Sequence, residues 1–177
     1  MKSKVVSLSA ISSTFIAIIL TAGAYIEFLD LFTAILASAF VILPIYLRSY
    51  LGSVLSFLAG GIIAFLFSGF NYLSIVFPVY FGFLGLYPIL KCRSDDKKYN
   101  KILIYTIGLI WCVFAFYGAY FYYTLIMSGV LDGLPKWIGD YLLAIVGVVA
   151  IVFYFIYDRF VVVLRRFLDR YLSRIVK

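Results

Sequence analysis

Six apolar runs without a single formal charge constrain this chain more than any other feature: residues 5–26, 31–47, 51–70, 72–90, 102–126 and 141–157. A membrane-crossing helix needs about 20 consecutive apolar residues, with a working range of roughly 17–25, and every run falls in that window. The runs are separated at 27–30, 48–50, Asn71, 91–101 and 127–140. The break at Gly69, Phe70 and Asn71 is the shortest and reads as a tight turn, since Gly and Asn accept left-handed backbone geometry. Hydrophobic residues make up 66% of the 177 positions and charged residues 13%, against about 45–50% and about 25% in a soluble domain. That balance excludes a soluble enzyme, a disordered tail and a nucleic-acid-binding domain, and makes the bilayer the natural solvent. The expected fold class is an all-α polytopic membrane protein. A six-helix transmembrane bundle occupies 1–157, and a basic amphipathic helix at 158–177 extends it.

The charges between the runs set an orientation, because Lys and Arg concentrate on the cytoplasmic side. With the amino terminus inside, Lys2, Lys4, Arg48, the basic residues of 91–101 and those of the tail all fall on one side. These are 14 of the 15 basic residues, and only Lys136 lies opposite. Glu27, Asp30, Asp132 and Asp140 fall outside, where they read as solvated loop charges. Both termini are therefore expected in the cytoplasm of a bacterial cell, with the chain in its plasma membrane. Lys2 and Lys4 followed by an apolar run ending in Ala22-Gly23-Ala24 have the outline of a signal peptide. Five hydroxyl residues between Ser7 and Thr14 suit a retained helix better. In the tail, Phe160, Leu164, Phe167, Leu168, Tyr171, Leu172 and Ile175 recur on one helical face. Arg159, Arg166, Arg170 and Arg174 group on another, and Arg165 has Asp169 four residues on. Such a helix suits either the anionic lipid of the inner leaflet or a cytoplasmic-side partner.

The chemistry that the chain can carry is narrow. It has no histidine, which removes His-ligated zinc, a Ser-His-Asp triad and a histidine proton relay. Cys92 and Cys112 lie in a charged loop and in an apolar run, with no CxxC spacing, and read as two unpaired thiols. No Asp, Glu, Lys or Arg falls at mid-membrane depth, where ion- and proton-coupled carriers usually keep one. Asp158 reads as a lone acid at the inner boundary. No Walker A motif follows Gly60-Gly61. No catalytic residue, metal site or cofactor is therefore expected, and any energy for solute movement must come from a partner.

Two patterns remain as candidate binding features. Small residues recur every four positions in the first run (Ser9, Ser13, Ala17, Thr21) and the third (Gly52, Ser56, Gly60, Ala64, Ser68). They allow close backbone approach in lipid. The third-run stripe reads as packing within the bundle. The first-run stripe suits either such packing or a membrane partner. Aromatic residues are 20% of the chain, 16 Tyr and 18 Phe among them, and they crowd the outer half of the fifth run. An interfacial belt accounts for many. Tyr117, Tyr120 and Thr124 share a helical face that also suits stacking on a flat small molecule, with Trp137 and Asn71 on the same side of the membrane.

A basic amino terminus, six runs, small residues in the first helix and a basic amphipathic end resemble the S components of energy-coupling-factor (ECF) transporters. The resemblance implies capture of a small vitamin-like solute from outside, with a transmembrane T component and two ATPase subunits supplying energy. Ser9-x-x-x-Ser13-x-x-x-Ala17 stands where that family carries an Ala-x-x-x-Ala-like motif facing the T component, with Ser in place of Ala. By this resemblance Asn71, Tyr117, Tyr120, Thr124 and Trp137 would line the solute pocket, Ser9, Ser13 and Ala17 would meet the T component, and Arg166, Arg170 and Arg174 would lie at the inner surface. The segments from Phe77-Pro78 to Tyr87-Pro88 and Tyr157-Asp158-Arg159 also resemble small Firmicutes-type membrane proteins. Arg48 to Gly69 is similar to the rod-shape-determining protein D family, which implies a non-transporting scaffold for cell-wall synthesis. A third expectation is an accessory subunit of another membrane complex.

Overall fold

The computed structural model describes residues 2–26, 29–69, 76–97, 100–126 and 136–175, and among these there is helix and no strand. The helices are α1 (Lys2–Tyr25), α2 (Asp30–Val41), α3 (Leu43–Tyr46), α4 (Tyr50–Phe67), α5 (Val76–Val79), a π-helical turn (Tyr80–Leu84), α6 (Tyr87–Lys97), α7 (Lys101–Ile126) and α8 (Lys136–Ile175). Four segments are long and apolar enough to cross a membrane: Ser3–Tyr25, Tyr50–Phe67, Ile102–Tyr122 and Tyr141–Arg170. Their outward side chains point to a membrane protein. Leu51 is 78% exposed, Phe114 72% and Ile102 75%, a surface that hydrocarbon tolerates and water does not.

The second and fourth apolar runs are helical but interrupted, and proline is the cause. Pro44 sits at the start of α3. It lacks an N–H and its ring crowds the carbonyl four residues back, so α2 stops at Val41 and the helix restarts at Leu43. In the fourth run the amide of Gly85 bonds the Tyr80 carbonyl at 2.9 Å, the five-residue step of a π-turn. Pro88 follows, so the Leu84 carbonyl cannot receive the usual donor from four residues on. The Tyr157 hydroxyl donates to it instead at 2.8 Å, and also lies 2.8 Å from Ser38 Oγ.

Passes that follow one another in the chain alternate in direction. Gly23 of α1 packs on Thr33 of α2, as in an antiparallel hairpin. Phe57 meets Tyr80 while Phe65 meets Phe77, so α4 runs against the α5–α6 segment. Tyr117 bonds the Leu143 carbonyl at 3.0 Å and Tyr154 the Tyr105 carbonyl at 3.0 Å, so α7 and α8 are antiparallel. The pair α1 and α4 is parallel: Ser56 Oγ donates to the Ser9 carbonyl near one end, and the Tyr25 hydroxyl donates to the Phe67 carbonyl near the other. Both small-residue stripes lie in this contact. At Gly60 a β-carbon would fall 2.8 Å from the Ser13 carbonyl oxygen and closer still to Ile16. An aromatic column of Tyr80, Phe83, Tyr87, Tyr154 and Tyr157, all buried, fills the centre.

This packing makes Gly60 a hinge of stability. Gly60→Ala is expected to destabilise the protein by about 1–3 kcal/mol through overpacking. Gly118→Ala, in the interior of α7 where a β-carbon meets open space, is expected to cost nothing and to stabilise by up to about 1 kcal/mol. Thermal unfolding of the purified chain in detergent measures both.

Candidate functional site at the charged end

Four helices converge on the end of the bundle that carries the charge. Heptad-like spacing on α6 puts Tyr87, Lys91 and Ser94 on the inward face, where all three are buried. On α8, Tyr154, Tyr157, Asp158 and Val161 form the opposing buried face. Where the faces meet, Lys91 Nζ lies 2.8 Å from Asp158 Oδ1, with the two side chains 6% and 4% exposed. Tyr87 donates its hydroxyl proton to the same carboxylate oxygen at 2.5 Å. The Tyr87 oxygen lies 3.2 Å from that of Tyr154, whose own proton goes to the Tyr105 carbonyl. The Lys91 ammonium also sits 3.8 Å from the centre of the Tyr105 ring, a cation–π contact. One cation and one anion thus cancel inside a cage of phenols.

Asp158 is therefore not the lone boundary acid that its local sequence suggests. Its partner arrives on a different helix, and the charged run beginning at Lys91 disguises that lysine as a loop residue. A usable signal was present nonetheless: opposite charges stand at the same-side ends of two apolar runs.

A second charge cluster lies one to two turns beyond. Arg165 donates to the Cys92 carbonyl at 3.2 Å, pairs with Asp96, and lies 3.6 Å from Asp95. The Tyr50 hydroxyl donates to Asp96 as well. The local Arg165–Asp169 pair expected from spacing gives way to this arrangement. An Arg placed before its acid on a helix is the weaker order for such a pair, and α6 offers two carboxylates and a carbonyl together. Asp169 instead lines a cavity of about 260 Å³ with Arg48, Asp96 and Arg165. Burial pushes the Asp96 carboxyl upward, but hydrogen bonds from Tyr50 and Arg165 and the charges of Arg165 and Arg48 outweigh it and hold the group below its ordinary value.

The other expected site residues are scattered. Tyr117 is half-buried, with its hydroxyl on the Leu143 carbonyl. Tyr120 meets Phe121 edge-on, and Thr124 donates to the Phe121 carbonyl at 3.0 Å. Asn71 lies outside the described residues, as do the side chains of Trp137 and Arg174. Arg166 and Arg170 are exposed on α8. Ser9 and Ser13 are half-buried and Ala17 is buried, and the two serines line an open groove of about 400 Å³ between α1 and α4. Asp30, expected as a solvated loop charge, is buried at the start of α2, where a helix N-terminus favours an acid. Among the described residues no group of three or more His, Cys, Asp or Glu is placed to hold a metal, and Cys92 and Cys112 are both buried free thiols.

Two outcomes test this account. Lys91→Met or Asp158→Leu alone is expected to cost about 3–5 kcal/mol by leaving a buried charge unpaired, and the double variant to recover most of it; unfolding in detergent measures the cycle. For Asp96 the folded value lies below the unfolded one, so its stabilisation is complete above the ordinary carboxylate range and is lost as pH falls through the folded value. Acidification below about pH 4 is thus expected to speed hydrogen exchange at the end of α6, and Asp96→Asn to flatten that response. No family model matches the chain, and no curated protein or solved structure matches it significantly.

Proposed function

We propose that the chain crosses the plasma membrane six times, with both termini in the cytoplasm, and acts as the solute-capture subunit of an ECF-type transporter. The α2–α3 and α5–α6 segments supply the two interrupted passes. At 1.5 Å per residue, the 17 residues of Asp30–Tyr46 rise about 25 Å, close to the roughly 30 Å hydrocarbon core. The alternation of helix direction supports the same count. So does the gathering of Arg48, Asp95, Asp96 and Arg165 at one end.

The observation that carries the subunit reading is the open groove beside the α1–α4 contact, where Ser9 and Ser13 lie among the exposed Val6, Leu51 and Leu55. An exposed apolar groove with small residues at its floor offers a seat for a partner helix, and it lies on the helix that in the resembled family meets the T component. The solute would enter from the opposite end, beside Tyr117, Tyr120, Thr124, Trp137 and Asn71. Lys91, Asp158 and Arg165 then serve as internal ties, and the ATPases of the partner provide the work.

Affinity purification of the full chain from its native membrane tests the proposal. A T component and two ATPases are expected to co-purify, and Ser13→Leu to cut their yield at least tenfold while the thermal stability of the bundle is kept. Recovery of cell-wall synthesis proteins in their place would favour the scaffold reading, and recovery of neither set overturns both.

A further inference from the structure

A second groove opens between α6 and α7 at the charged end, with a volume of about 330 Å³. Its walls are apolar: Leu90, Ile104, Ile107 and Trp111. Leu90 and Ile107 are half exposed, so the groove opens on the outer surface of the bundle, while Tyr87, Lys91, Ser94 and Gly108 carry its floor inward to the core. Its polar lip is formed by Lys91, Arg93 and Ser94. Lys91 is already neutralised by Asp158. Arg93 is exposed and makes no ion pair among the described residues. Ser94 is buried, and among the described residues its Oγ has no hydrogen-bond partner, a state it shares with Ser12, Ser53 and the Tyr80 hydroxyl; of these it alone lines this groove.

An apolar trough on the lipid-facing side, ending in one unpaired cation and one unsatisfied hydroxyl, matches a molecule with a long hydrocarbon chain and an anionic head. We propose that the groove holds an anionic phospholipid of the inner leaflet. Its phosphate accepts hydrogen bonds from Arg93 and from the Ser94 hydroxyl, and one acyl chain lies along Leu90, Ile104 and Ile107 onto Trp111. The proposal rests on the six-pass reading, which puts this end of the bundle at the inner face, where anionic lipid is enriched. A soluble anion would find the charge but leave the trough empty. A zwitterionic lipid would fill the trough and offer the same phosphate, but its own ammonium offsets that charge and weakens the net attraction to Arg93.

Trp111 reports on its own occupancy. The chain has two tryptophans, so the full-length Trp137→Phe variant leaves Trp111 as the sole fluorophore. Reconstituted in phosphatidylcholine vesicles, it is titrated with brominated phosphatidylglycerol or brominated phosphatidylcholine, whose bromines quench an adjacent indole. Half-maximal quenching is expected at an about fivefold lower mole fraction of the anionic lipid, the gain typical of one basic residue near the surface. Arg93→Gln is expected to bring the two lipids level, and Arg166→Gln on α8 to leave the preference intact. Equal quenching by both lipids in the parent, or a preference that survives Arg93→Gln, overturns the site while the membrane reading stands. Absence of quenching by either lipid overturns the site and, with it, the lipid-facing placement of α7.

Discussion

The pairing of Lys91 with Asp158 is the contact on which the charged end of this bundle depends. Taking either charge out of water alone costs several kcal/mol, so the two helices that carry them cannot separate cheaply. The pair fixes the rotation of α6 and α8 about their axes, since only one face of each brings the groups within 2.8 Å. Once that register is set, Tyr87, Tyr154 and Tyr157 are carried into the centre and Arg165 is carried onto the end of α6. Phenols suit such surroundings. Each brings a large apolar ring for packing and one hydroxyl that can satisfy a buried acceptor.

The same economy explains how a chain with proline in two of its apolar runs keeps its backbone satisfied. In lipid an unpaired carbonyl has no water to turn to. Pro88 orphans the Leu84 carbonyl, and a tyrosine hydroxyl from another helix takes the place of the missing amide. The irregular stretch around the π-turn is thus tied to α8 by side-chain chemistry, and its irregularity is confined to the buried middle of the bundle, where such backbone is tolerated.

Much of this architecture was legible in the sequence, because a bilayer makes apolar run length and charge placement decisive. The helices begin and end within a few residues of most of the uncharged runs, and the basic residues that cluster in sequence gather at one end in space. The small-residue stripes were visible as period-four patterns, but not that the stripes on α1 and α4 lie in one shared contact. Spacing along one helix says which residues share a face and nothing about which helix that face meets. For the same reason the Lys91–Asp158 pair and the turn of Arg165 toward Asp95 and Asp96 were hidden: both join parts of the chain that only the folded arrangement brings together. The expected pocket residues around Tyr117 rest on aromatic density, a signal that belts and packing share.

The unbroken length of α8 carries a consequence for motion. Forty residues without a proline make a rod about 60 Å long, roughly twice the thickness of the hydrocarbon core. Along it the buried Tyr154 and Tyr157 give way to the exposed Arg166 and Arg170. Such a rod is a lever with no joint: a tilt of about 10° pivoted at its N-terminal end would sweep the C-terminal end through roughly 10 Å. A small displacement beside Tyr141 would therefore reach Arg165 magnified, as a mechanical stroke delivered to whatever sits against the C-terminal end of α8.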